Sequence, residues 1–138
     1  MSARRRRAGR WRADEAGATA VETAILLPAM VVFLLGIVEL GWAFHCASTV
    51  RWAVERGART FLLKPDATEA EVRADVLARV AGVVAPANLA LTFAEEEAEP
   101  GRRMARVSAA YRHQLVIPFV PAETLQFRSQ TLVPIATP

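Results

Sequence analysis

The sequence predicts an α+β protein. One long N-terminal helix spans a membrane and runs on into a small exported domain, which holds a second helix and a three-stranded, mainly antiparallel sheet. Three observations predict it. An Arg-rich leader is followed by fifteen residues, Ala24 to Val38, without a charge. Apolar residues then recur at spacings of three and four. From Leu89 onward apolar residues alternate with polar or small ones. The expected division is a basic leader over 1–17, a transmembrane helix over 18–44 and an exported domain over 45–138.

Composition narrows the function classes. At 138 residues there is room for one domain. The chain is 53% hydrophobic but 7% aromatic, too apolar for a disordered chain. A single cysteine, Cys46, excludes an intramolecular disulfide and a Cys-based zinc site. His45 and His113 lie far apart in sequence and make a poor metal site. There is no Gly-rich phosphate loop, no H-E-x-x-H and no convincing nucleophile with its base, so no catalytic residue and no cofactor is expected. Ser48 near His45, and Cys46 beside it, are neighbours of the kind any helix supplies.

The leader carries Arg4, Arg5, Arg6, Arg7, Arg10 and Arg12. Such a cluster suggests nucleic acid in isolation. Directly before an apolar run it is explained by topology, because it holds that end in the cytoplasm. No nucleic-acid partner is expected. Ala24 to Phe44 is 21 residues, roughly 31 Å of helix, the thickness of a bilayer core. Trp42 and Phe44 would anchor its far end. Pro28 removes one backbone donor and predicts a kink between Ala24 and Pro28. Two other readings stay open: an anchored exported protein that is never processed, and a secreted protein cut near Ala43.

The first helix is expected from about Ala20 to Leu63. Ala47, Val50, Val54, Ala58 and Phe61 share its inner face, while Arg51, Glu55, Arg56 and Arg59 take the others. Ala53 and Gly57 form a small-x-x-x-small pair, read as a packing site for the domain rather than a helix-pairing face. Lys64-Pro65-Asp66 ends this helix. Thr68 and Glu71 have capping-box spacing. Val72, Val76, Val80 and Val84, widened by Leu77 and Val83, form the stripe of a second helix that Pro86 ends.

Strands are expected at 89–94, 104–113 and 124–133. Their inward faces hold Leu89, Leu91 and Phe93; Ala105, Val107, Ala109 and Tyr111; and Leu125, Phe127 and Val133. The acidic run 95–101 reads as a solvated hairpin turn rather than a calcium site, and no metal ligands are assigned. Apolar Leu115 to Val120, broken by Pro118 and followed by Pro121, reads as a loop crossing the domain.

One residue does not fit a plain membrane anchor. Glu22 sits at the mouth of the apolar run, where a carboxylate costs up to about 2.5–3.5 kcal/mol if carried to the helix centre. Five residues before it lies Gly17. A cut after Gly17 would give Ala18 a new ammonium group and make Glu22 the fifth residue of the product. It would also remove six Arg, Asp14 and Glu15, leaving a chain of net charge −1.

A basic leader ending in Gly, an A-x-x-x-E segment and an immediate apolar helix resemble the class III signal sequences cut by prepilin peptidases. Gly17-Ala18-Thr19-Ala20-Val21-Glu22, Leu26-Leu27-Pro28 and Gly36-Ile37-Val38-Glu39-Leu40-Gly41 resemble the TadE-like minor pseudopilins of tight-adherence, or Flp-type, pili. Thr23 and Leu40 depart from the aromatic residues usual there. Ala53 to Ala58 fits the family more loosely. The resemblance implies a pilin-like α+β fold and a non-enzymatic structural subunit, needed for pilus assembly and adhesion or for a related secretion apparatus. It implies cleavage between Gly17 and Ala18 and a role in charge pairing for Glu22. For Glu39, near the outer interface, two readings stay open: exposure to headgroups, or assembly and charge pairing with a partner subunit. The implied partners are a prepilin peptidase, the major pilin, other minor pseudopilins, an inner-membrane assembly platform and membrane lipid. The implied location is the inner membrane, with the N-terminus cytoplasmic.

Overall fold

The computed structural model describes residues 3–64, 66–99 and 102–134, and side chains from 17 onward within them, with 98, 99 and 102 excepted. Helix α1 spans Ala3–Ala58, α2 is the single turn Thr60–Leu63, and α3 is Glu69–Val80. A 3-10 turn, Pro86–Asn88, leads into strands β1 (Leu89–Glu99), β2 (Arg102–Leu115) and β3 (Glu123–Pro134). The sheet is a meander in the order β1-β2-β3 with both pairs antiparallel. The expected α+β architecture is what forms, with the expected long helix and three strands.

α1 changes character along its length. From Val21 to Phe44 most of its large apolar side chains are exposed, Ile25 and Phe33 at 70%, while Val32, Gly36 and Glu39 are half-buried and Ala43 is buried. Beyond Ala43 one stripe is buried: Cys46, Val50, Ala53, Val54 and Ala58. The helix passes Pro28 without a break, and ends at Ala58 rather than Leu63. Arg59 interrupts it, and its carbonyl accepts from the amides of both Leu62 and Leu63 to start α2.

α3 forms where local sequence dictates. The Thr68 side chain accepts from the Glu71 amide and the Glu71 carboxylate accepts from the Thr68 amide, a closed capping box. Glu69 and Glu71 at its start and Arg79 in its last turn suit the helix dipole. Val72, Val76 and Val80 are buried. The helix stops at Val80, earlier than Pro86 suggests. Gly82 takes a φ of +82°, a conformation that glycine adopts without strain, and the amides of Val83 and Val84 close on the Val80 carbonyl. Val84 still joins the core, but from the turn.

The sheet's inward face is set by its register. Leu89 pairs with Tyr111, Leu91 with Ala109, Phe93 with Val107, and across the next ladder Tyr111 with Phe127 and Ala105 with Val133. These residues close over the buried stripes of α1 and α3 as one core. Each fully buried valine there contributes about 1.5–3 kcal/mol relative to exposure. At the edge, Arg73 of α3 donates to the Leu91 carbonyl at 3.2 Å and lies over the Phe93 ring.

The acidic hairpin turn expected at 95–101 is not a turn over most of its length. Glu95, Glu96 and Glu97 belong to β1 and pair in register with Ala105, Met104 and Arg103. The neighbouring strand supplies the countercharge. Arg106 donates to Glu96 at 2.6 Å, and Arg103 donates to Glu95. Each exposed pair is worth about 0–1 kcal/mol, enough to make a row of carboxylates tolerable in a strand. Pro100 and Gly101 lie outside the described residues.

At Gly57 α1 and α3 approach closely. A Cβ there would lie 2.5 Å from Val76 Cγ2 and 3.7 Å from the Val72 carbonyl oxygen. Gly57 and Ala53 therefore form the seat of α3, the packing role that their spacing suggests. Gly57→Val is expected to destabilise the full chain in detergent by about 1–3 kcal/mol or more through overpacking. Gly41→Ala, where a Cβ meets nothing within 4 Å, should be neutral or stabilising by up to about 1 kcal/mol. Thermal unfolding followed by circular dichroism measures both.

Candidate functional site

Two features of α1 carry the chemistry, and they lie about 26 Å apart along the helix axis. The first is the segment from Gly17 to Glu22. All six residues are exposed on the helix surface. A Cβ at Gly17 would meet nothing within 4 Å, so packing gives no reason for glycine there. In a helix interior glycine costs about 0.5–1 kcal/mol relative to alanine. Among the described residues no group pairs with the Glu22 carboxylate. Thr23 spends its hydroxyl on the Thr19 carbonyl, at 2.9 Å. The side chains of Arg4, Arg5, Arg6, Arg7, Arg10 and Arg12 lie outside the described residues; their backbone continues α1.

The second feature is centred on Glu39, whose carboxylate is taken up within its own chain. One oxygen accepts from the Val116 amide at 3.3 Å and lies 3.2 Å from His113 Nε2. His113 Nδ1 is 2.8 Å from the Tyr111 hydroxyl. With the ring proton on Nε2, His113 donates to Glu39 and accepts from Tyr111, so both contacts are satisfied by one tautomer. The His113 side chain is 11% exposed and that of Glu39 is 26% exposed. The phenol of Tyr111 is pushed well above its ordinary range, first by burial, then by the neighbouring Cys46 thiol and the charge of Glu39. It therefore remains a hydrogen-bond donor at physiological pH.

This chain of contacts fastens the end of β2 to α1. Phe127 completes the fastening, stacked on Tyr111 at 6.1 Å and edge-on to Phe44 at 5.9 Å. Phe44 is thus shared between the helix and the sheet, and Trp42 tilts against His45. Sequence reasoning singled out Glu39 but missed its partners, His113 and the Val116 amide, and Tyr111 behind His113. The available signal was the period of two along β2: Ala105, Val107, Ala109 and Tyr111 face inward, and His113 is the next inward position, a polar residue before an apolar loop.

The arrangement is a clasp and an apolar surface. Among the described residues no group of three or more His, Cys, Asp or Glu is placed to hold a metal ion. The fold defines a small α+β domain carried on one N-terminal helix long and apolar enough to cross a membrane, with none of its most apolar window buried by the rest of the chain. A model of the TadE-like protein family matches residues 17–59. It is the family that the leader and helix resemble, a structural family associated with tight-adherence pili. The match begins at Gly17, ends one residue past α1 and covers under a third of the chain. No curated protein and no solved structure matches the chain.

Glu39→Ala is expected to free the Val116 amide and strand His113 Nε2, at a cost of about 1–3 kcal/mol. Glu39→Gln retains an acceptor oxygen and should cost less. Amide hydrogen exchange at Val116, in the full chain in micelles, reads both. Protection unchanged in Glu39→Ala would show that the clasp does not form.

Proposed function

We propose that this protein is a minor pseudopilin-like structural subunit of a tight-adherence pilus or related secretion apparatus. The observation that carries the proposal is the match over residues 17–59. It starts at the glycine for which packing gives no reason and runs through the exposed apolar half of α1. The leader 1–17 is removed by a prepilin peptidase between Gly17 and Ala18. Residues from Ala18 onward then cross the inner membrane, with the N-terminus cytoplasmic and the α+β domain outside. The six leader Arg set that orientation.

Glu22 is the assembly residue in this reading. Its exposure on the apolar helix, with no partner among the described residues, supports a partner on another chain. After cleavage the Ala18 ammonium lies one turn away and provides the opposite charge. In a stack of subunits, the Glu22 carboxylate of one neutralises the Ala18 ammonium of the next. An unpaired charge in lipid is unfavourable, so a subunit entering in register is favoured over one out of register. Glu39 serves assembly by holding the domain at a fixed angle to the helix that docks. The major pilin, other minor pseudopilins and the assembly platform are the partners that would meet this surface. A secreted product cut near Ala43 would lose Glu39 and so lose the acceptor of His113 and Val116, which favours retention of the helix.

Glu22→Ala is expected to be processed normally and to abolish piliation; Glu22→Asp, with its shorter reach, should be intermediate. Pilus counts in a strain whose only copy carries each variant measure this. Normal piliation with normally processed Glu22→Ala would overturn the charge-pairing role. Reporter fusions at Pro138 should be active only outside the cytoplasm, and a fusion active only inside would reverse the orientation.

A further inference from the structure

The β2–β3 loop carries an apolar tip whose Val116, Phe119 and Val120 side chains the domain leaves exposed. Leu115 to Ala122 is eight residues without a charge. Val116 is 72% exposed, Val120 45% and Phe119 97%. Phe119 takes a φ of +65°, a left-handed conformation that costs a bulky residue roughly 1–2 kcal/mol. The turn is closed by the Val120 amide donating to the Ile117 carbonyl. A soluble domain would gain by turning such a side chain inward.

The place of the loop along α1 explains the exposure. Ile117 Cδ1 lies 3.7 Å from where a Cβ of Gly36 would stand, and the Val116 amide is held by Glu39. The tip therefore stands beside α1 at Gly36 and Glu39, where the helix's apolar half is exposed, and is continuous with the surface that lipid must cover. We propose that the β2–β3 loop is a second membrane contact: Val116, Phe119 and Val120 enter the outer leaflet beside the spanning helix, with the Glu39–His113 pair at headgroup level. This rests on the reading of α1 as a membrane-spanning helix.

The loop also sets the depth of the helix. With the outer hydrocarbon boundary at Gly36, the twenty residues back to Gly17 make about 30 Å, one bilayer core. Gly17 then lies at the cytoplasmic face, where a peptidase reaches it. Trp42 and Phe44 rise out of the lipid and into contact with His45 and Phe127, as the ring contacts have them. The span shifts from 24–44, suggested by hydropathy, toward 17–36. An apolar loop in the interface works as an amphipathic segment does, buried about 5–10 Å at the headgroup boundary.

Spin labels on single cysteines test this in the full chain, reconstituted at high lipid excess into phosphatidylcholine–phosphatidylglycerol vesicles. The sites are Phe119→Cys, Val31→Cys on the exposed apolar helix and Asp66→Cys on the turn beyond α1. Cys46 is fully buried, and the unsubstituted chain controls for its labelling. The reading is the ratio of collisions with oxygen, which enters lipid, to collisions with a nickel chelate, which does not. The ratio at 119 is expected to rise from the level at 66 toward the level at 31. A lipid-like ratio at 31 with a water-like ratio at 119 would overturn the loop contact alone. A label at 119 shielded from both reagents would mean that protein covers the tip, and would overturn it too. A water-like ratio at 31 would overturn the spanning reading and the loop contact with it.

Discussion

A single helix has to satisfy two solvents, and the rest of the structure follows from where it changes between them. From Val21 to about Gly36 α1 leaves most of its large apolar side chains exposed, and its backbone hydrogen bonds close within the helix, as lipid requires. From Cys46 to Ala58 the same helix buries one stripe and leaves the other faces to water. The domain has no other scaffold: α3 sits on Ala53 and Gly57, and the sheet closes over the same stripe. The Glu39 clasp ties the end of β2 to the helix just where the change occurs. An error of a few residues in that register would put polar strand ends into lipid or apolar helix into water.

The two carboxylates of the apolar segment show how environment divides one chemical group between two tasks. Glu39 is held by an amide and a histidine of its own chain, so its charge is satisfied before any partner arrives. Glu22 lies exposed near the N-terminal end of the apolar run, with nothing among the described residues to pair with it. A satisfied charge fixes internal geometry. An unsatisfied one near lipid is a demand for a partner, and in the proposed assembly the new terminus of a neighbouring subunit meets it.

What was legible in the sequence was local. The capping box of Thr68 and Glu71, the valine stripe of α3, the alternation in β2 and the seat at Gly57 all follow from spacings of two to four residues. The end of α3 was also written locally, in Gly82, but Pro86 drew the boundary six residues too far. The failures came from distance. Glu95 to Glu97 read as a turn because the arginines that neutralise them are on the returning strand. His113 and Glu39 are 74 residues apart and meet only because β2 runs back along α1. The apolar loop at 115–120 was recognisable as a loop, but only the fold reveals that its tip stands beside the helix's apolar half. Of the residues in the proposed assembly role, Gly17, Glu22 and Glu39 were picked out by the linear motif, while the clasp around Glu39 was not.

The account stands on one claim: α1 begins at Ala18 in the working protein, stays in the membrane and carries the domain with it. The intact mass and N-terminal sequence of the chain, recovered from membranes of cells that contain a prepilin peptidase, test it most directly. The account predicts a chain of 121 residues beginning at Ala18. A chain beginning at Met1 would make it an unprocessed anchor, and one beginning near Phe44 and released from the membrane would make it a secreted protein. Either result would contradict the account.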